Sequence, residues 1–267
     1  MTGALPTISI VTPSYNQAEF LERTIRSVLD QKYPKLEYII IDGGSTDGSV
    51  DIIRKYAEQL AYWVSEPDRG QAHAINKGLQ RATGDWLAWQ NSDDVFLPGA
   101  FHQLALASEK FPHASLMIGN MNLIDRDDNL LRDMKYVKPT YASLLAEGMV
   151  LTNQAAFWRR SLHAELGYLN EDFDCSFDFE WFLRVLHGGR SAEHVNAAWG
   201  ALRLHEETKT SNRQKVFDEE YKRIRAGREA SSWSKRFHQL RRLALMVRDG
   251  NLYYVSRGVA RRLLGGK

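Results

Sequence analysis

Two adjacent acids, Asp93 and Asp94, follow the apolar run Trp86-Leu87-Ala88-Trp89, with Gln90-Asn91-Ser92 between. Neighbouring carboxylates repel, and each raises the pKa of the other. A hard divalent cation relieves that repulsion and takes oxygen ligands, so the pair reads as a candidate Mg²⁺ or Mn²⁺ site for a phosphate-bearing substrate. An Asp-rich solvated turn has the same composition, and on these residues alone both readings stand. Four further groups belong to the same question. Asp42 ends the run Leu-Glu-Tyr-Ile-Ile-Ile at 36–41. There a carboxylate can accept a hydrogen bond from a nucleobase N–H, or simply cap the next helix. Arg69 and Lys77 can add positive charge for a diphosphate, with a solvated lysine as the alternative for Lys77. Asp178, in Phe177-Asp178-Phe179-Glu180-Trp181, suits a general base in an apolar wall that raises its pKa. A favourable helix-dipole position is the other reading. His205 follows an apolar run and joins a metal site only if the fold carries it to the acids.

The elements that must position these groups alternate. Residues 8–11 form a β-rich run that ends at Thr12-Pro13, and Asn16 with Glu19 resembles a capping box for a helix to about residue 31. Strands follow at 36–41 and 62–65, and helices begin after the glycine-rich turn 43–48 and at 71–82. That turn lacks the G-x-G-x-x-G spacing of a dinucleotide site and the Gly-Lys-Ser/Thr of a P-loop. Four strands in about 90 residues with short loops predict a parallel, doubly wound α/β sheet. Such sheets bind ligands beyond the carboxyl ends of their strands, where the polar clusters at 13–16, 42–44, 67–70 and 92–94 all fall. The second half is less regular: a helix at 101–110, strands at 116–121 and 154–158, a hairpin turn at 125–129, a helix at 177–186 and a final strand at 195–204.

Composition bounds the class. The chain has 267 residues, 43% hydrophobic and 25% charged, ordinary for a globular protein. No apolar run reaches the ~18 residues that span a bilayer. The N-terminus lacks a signal-peptide pattern, and the one cysteine, Cys175, suits a reducing compartment. A cytoplasmic location is therefore expected. Charge is asymmetric: residues 213–267 carry 15 Lys and Arg against 5 Asp and Glu, a net of +10, while the remainder carries −8. The tail intersperses Arg241, Arg242, Arg248, Arg257, Arg261 and Arg262 with leucines and tyrosines. This suits an amphipathic helix at the inner face of a membrane, or helices packed on the domain or on a second subunit.

Taken together, these motifs resemble the family 2 glycosyltransferases, which have the GT-A fold. The residues that carry the resemblance are Ile8-Ser9-Ile10-Val11-Thr12-Pro13-Ser14-Tyr15-Asn16-Gln17, Ile41-Asp42-Gly43-Gly44-Ser45-Thr46-Asp47-Gly48-Ser49 and Asp68-Arg69-Gly70-Gln71 with Asn76-Lys77-Gly78. They continue with Ala82-Thr83-Gly84-Asp85, Asn91-Ser92-Asp93-Asp94 and Asp178-Phe179-Glu180-Trp181-Phe182-Leu183-Arg184. The resemblance implies a GT-A domain over 1–212, with a nucleotide-binding half at 1–95 and an acceptor half at 96–212. A basic helical extension occupies 213–267. It implies inverting, metal-dependent transfer of a single sugar from a nucleotide-diphosphate sugar to a hydroxyl of a glycan or lipid-linked acceptor, as in polysaccharide or lipopolysaccharide assembly. By motif position Pro13 and Tyr15 line the base and ribose pocket, and Asp42 binds the base. Asp93 and Asp94 bind ribose and the divalent metal (Mn²⁺ or Mg²⁺), His205 assists the metal or diphosphate, and Asp178 is the base. Asn91-Ser92 stands where many members begin with an acid, which leaves the metal ligand open between Asp93 and Asp94. The Gln-x-x-Arg-Trp motif of processive polymerases is absent, so single transfers are expected. A binding module without turnover is the alternative from another class. A sugar nucleotidylyltransferase ranks below it, because the loop at 13–16 lacks the glycines and bases such enzymes need. No nucleic-acid partner is expected; a homo-oligomer is compatible with the tail.

Overall fold

Backbone hydrogen bonds between β-branched runs create the first half of the sheet. In the computed structural model, which describes residues 5–206 and 213–263 with side chains to Arg257, β1 (Ile8–Ser14) leads through α1 (Ala18–Leu29) to β2 (Leu36–Asp42). Then α2 (Ser49–Lys55), β3 (Tyr62–Ser65), α3 (Gln71–Arg81) and β4 (Trp86–Trp89) follow. All four strands are parallel, and the register sets Ser14 beside Asp42 and Asp42 beside Ser65. The polar ends therefore share one rim, as the alternation predicts. β1 runs further than expected, through Pro13. β4 pairs with β1 only as far as Val11, so the strand is open on that side where proline has no N–H to donate. α3 lies close on β1: a Cβ on Gly78 would meet Val11 Cγ1 at 2.4 Å.

The second half is mixed. β5 (Val95–Phe96), α4 (Ala100–Lys110), β6 (Leu116–Ile124), β7 (Leu130–Met134), α5 (Tyr141–Glu147) and β8 (Ala156–Arg159) come first. α6 (Leu162–Leu166), α7 (Phe177–Leu186) and β9 (Ala192–Arg203) complete it. β8 is antiparallel to both β4 and β6, and β9 is parallel to β6 and antiparallel to β5. The strand order is β3-β2-β1-β4-β8-β6-β9-β5, with β7 on β6. The expected strand at 154–158 begins only at Ala156, because residues 153–155 form a 3₁₀ turn. The two-residue β5 and the short helices α5 and α6 were not expected. After residue 213 come α8 (Gln214–Arg225), α9 (Ser232–Arg248) and α10 (Leu252–Leu263). The side chains of Arg261 and Arg262 lie outside the described set.

Aromatic packing joins the halves. Trp89 meets Trp158 at 5.2 Å and stacks on Phe182 at 6.2 Å, and Trp158 meets Trp181 at 5.8 Å. All four are fully buried, and each such pair contributes about 0.5–1.5 kcal/mol beyond its area. The cluster fixes α7 against β4. Trp181 is thus part of the core.

Gly200 in β9 passes so near the 153–155 turn that a Cβ there would sit 1.9 Å from the Gln154 carbonyl oxygen. Backbone on both sides cannot yield as a side chain would. Gly200→Ala is expected to lose ~3 kcal/mol or more, read as a lower urea midpoint, whereas Gly250→Ala, which has open space but positive φ, should lose roughly 1 kcal/mol.

Candidate active site

The acidic turn is built by three elements. Thr24 of α1 donates its hydroxyl to the carbonyls of Ser92 (2.9 Å) and Asp94 (2.7 Å). β9 returns beside β5, with Ala201 opposite Val95, and so delivers Arg203 and His205 to the acids. The third contact comes from the 3₁₀ turn, where Gln154 Nε2 donates to Asp94 Oδ2 at 2.7 Å.

The two acids have different surroundings. Asp94 is buried, and its oxygens accept from the Arg203 N–H (2.9 Å), Gln154 and Asn91 Nδ2 (3.0 Å). Burial pushes its carboxyl up, Asp93's charge pushes it further, and those hydrogen bonds pull it back. Asp93 keeps some surface in the cleft, and its Oδ2 lies 3.0 Å from His205 Nε2. Arg203, wholly buried, donates Nε to the Asp93 carbonyl at 2.8 Å and pairs with Asp128 at 2.5 Å. It clamps the turn to the 125–129 hairpin. Sequence reading missed Arg203, since within an apolar strand it carries no motif.

A cleft of about 1230 Å³ opens over this turn. Pro13 and the exposed Tyr15 line it, with Asp68, Asp93, Asp94 and Asp178. Asp42 does not. It is fully buried, and its two oxygens accept from the N–H groups of Gly44 (3.1 Å) and Ser45 (2.9 Å) and the hydroxyls of Ser45 (2.6 Å) and Ser65 (2.7 Å). In the structure Asp42 organises the Gly43-Gly44 turn that borders the cleft. The capping box expected at Asn16 is corrected. Asn16 has φ +51° and its Oδ1 accepts from the Thr46 N–H at 2.9 Å. Helix α1 starts after Gln17, and Asp47 accepts from the Ala18 N–H at 2.8 Å.

Arg69 and Lys77 are also placed differently from expectation. Arg69 is mostly exposed and pairs with Glu171 at 2.6 Å; Lys77 pairs with Glu66. Neither lines the cleft. α3 turns Asn76 and Gly78 inward, so Lys77 between them is directed to the β3 side.

Asp178 stands at the first turn of α7, partly buried beside the cleft. Burial raises its carboxyl to about 6; hydrogen bonds from the Phe179 N–H and its own oppose that rise, and the charge of Glu220 adds to it. Glu220 comes from α8. Its carboxylate accepts from three successive backbone N–H groups, Asp174 (2.7 Å), Cys175 (3.1 Å) and Ser176 (2.7 Å), just before α7. Tyr221 stacks on Phe179 at 4.4 Å, and Arg225 lies over both rings. Tyr221, Arg225 and Gln214 line the cleft, so the extension supplies one of its walls. Sequence reading missed them because Asp218-Glu219-Glu220 in a charged helix looks like a solvated face.

Among the described residues no three His, Cys, Asp or Glu groups converge as a ready metal cage. Asp93 at the cleft and His205, its side chain buried 3.0 Å from it, supply facing oxygen and nitrogen donors. That set suits a divalent ion whose other ligands come from substrate phosphates and water.

Comparison with known proteins follows the same lines. Residues 9–167 match the family described as Glycosyl transferase family 2, a span that ends before Asp178, His205 and α8. An uncharacterized glycosyltransferase of Mycobacterium tuberculosis is 38% identical over 188 residues, 69% of this chain and 70% of that protein. TuaG of Bacillus subtilis, a glycosyltransferase named for teichuronic acid biosynthesis, is 44% identical over 97 residues, 35% of this chain and 38% of its own. The crystal structure of S. aureus TarS with UDP-GlcNAc superposes with a TM-score of 0.64 at 17% identity, covering 77% of this chain and 61% of that one. The mannosyltransferase PcManGT of Pyrobaculum calidifontis, with GDP-Man and Mn²⁺, gives 0.57 at 19% identity over 97% of this chain and 81% of that one. These two likenesses bear out the GT-A fold. With its strand-end cleft and the match over residues 9–167, the chain belongs to glycosyl transferase family 2.

Proposed function

We propose that the cleft binds a nucleotide-diphosphate sugar and transfers its sugar, with inversion, to a hydroxyl of a glycan or lipid-linked acceptor. The observation that carries this is one cleft lined both by Asp93, with His205 3.0 Å from it, and by an Asp178 whose carboxyl is raised to about 6. Neighbouring structures hold UDP-GlcNAc and GDP-Man with Mn²⁺, which supports the donor class. TuaG's name supports a polysaccharide product. Pro13 and Tyr15 face the base and ribose, with Asp68 beside them, and Asp42 holds the adjoining turn. Asp178 takes the proton of the acceptor hydroxyl while that oxygen bonds to the anomeric carbon. The bond from that carbon to the diphosphate oxygen breaks, and the nucleoside diphosphate leaves with the electron pair. A divalent ion, when bound at Asp93 and His205, supplies charge neutralisation for the departing diphosphate. A base near 6 is mostly ionised at neutral pH yet still basic enough to accept a proton.

The roles of Asp93 and Asp94 separate experimentally. Asp93→Ala is expected to abolish transfer and leave the melting temperature within a few degrees of the parent. Asp94→Ala leaves the Gln154 amide and the Arg203 N–H unpaired in the interior, and about 1–3 kcal/mol of stability should be lost. Transfer by the parent chain should stop in EDTA and return with Mn²⁺. Full activity in EDTA refutes the metal assignment.

Asp178 gives a second test with a definite sign. Its folded value, about 6, lies above the unfolded value of ~3.9. Between the two the folded state binds more protons, so the ionised group destabilises the fold at neutral pH. That penalty is complete above pH 6 and fades as pH falls toward 3.9. Asp178→Asn should therefore lose transfer by ~10²-fold or more while gaining roughly 1–3 kcal/mol of stability at pH 7. kcat/KM of the parent should fall below about pH 6. A flat profile, or an active Asp178→Asn enzyme, removes Asp178 from the role.

A further inference from the structure

Helix α9 has two unlike faces. His238 and Met246 are buried toward the domain, and Arg242 between them pairs with Glu147 of α5 at 2.8 Å. At 3.6 residues per turn the opposite face carries Trp233, Phe237, Leu240, Ala244 and Val247. All five are exposed, Trp233 by 82% and Leu240 by 67%. The start of α10 continues the apolar surface with Leu252 and Tyr253, also exposed. A contiguous row of large apolar groups marks a contact surface rather than a face left to water.

The charges say what kind of surface it meets. From Ser232 to Arg248 the helix has five Lys and Arg residues and no Asp or Glu. Arg242 is paired as above, Arg248 pairs with Asp249 and Arg241 reaches the Lys138 carbonyl. Arg236, exposed beside the apolar row, and Lys235, exposed on the neighbouring side of the same turn, have no ion-pair partner among the described residues. The row's alternating spacing of four and three also fits a helix–helix seam with a second copy. Two copies would bring ten cations together with no acid on either helix, so like charge opposes that pairing. An anionic lipid surface meets both features: the apolar row enters the acyl boundary and the lysine and arginine heads meet the phosphates.

We propose that α9, with the start of α10, docks this protein on an anionic bilayer surface through Trp233, Phe237, Leu240 and Val247. No described helix is long and apolar enough to cross a membrane, so the attachment lies along one face. The inference rests on this helix and not on the chemistry of the cleft.

The test uses the full chain with phosphatidylcholine vesicles, with and without phosphatidylglycerol, in low and high salt. Co-sedimentation is expected with the anionic vesicles only, and should weaken in high salt. Lys235→Gln with Arg236→Gln should weaken it roughly tenfold or more. Trp233→Ser, Phe237→Ser and Leu240→Ser together should abolish it with a melting temperature within a few degrees of the parent, because those side chains are mostly exposed. No binding to anionic vesicles, or equal binding by the triple variant, overturns the proposal. So does a parent chain that dimerises in solution while the triple variant is monomeric, which would assign the row to a second copy.

Discussion

Two carboxylates on consecutive residues cannot both face one small volume without a counter-charge, and the site is arranged around that constraint. The chain resolves it by giving the pair unequal surroundings. Asp94 is turned into the protein, where amide donors from β9, the 153–155 turn and Asn91 meet it. Asp93 is left at the cleft with His205. The same turn is held from behind by Thr24 and clamped by Arg203. Three stretches distant in sequence thus converge on three residues, and local changes in any of them reach the acids.

Asp178, the proposed base, is held by a different device. α7 is pressed against β4 by buried tryptophans, which sets its position but not the conformation of the segment leading into it. Glu220 collects the three N–H groups of that segment. Free amide donors before a helix are satisfied by any suitably placed acceptor, and here the acceptor carries charge. Its field raises the neighbouring Asp178 in addition to the larger effect of burial. A single side chain from α8 therefore shapes both the path of the backbone and the electrostatics of the wall.

Legibility in the sequence followed the range of the interactions. The parallel half was readable, since β-branched runs, glycine turns and helical spacing act within a dozen residues, and the acids at 93 and 94 and at 178 fell where strand and helix ends predict. The enclosure of Asp42 was not readable because its four hydrogen bonds, one of them from Ser65, depend on how adjacent strands align. The direction of Lys77 was not readable because a positive charge near the right motif does not say which way the helix turns. Arg203 and Glu220 were invisible for a stronger reason. Each owes its importance to partners tens of residues or more away, and neither sits in a local pattern.

The Glu220 contact has a consequence for exchanging parts between relatives. The family match ends at residue 167, and the tail looks like a detachable appendage by charge. Yet a hybrid joined at residue 213 would combine the Asp178 helix of one protein with another's clasp and cleft wall. A junction beyond Arg225 keeps those together and leaves α9, with its exposed apolar row, as the exchangeable module.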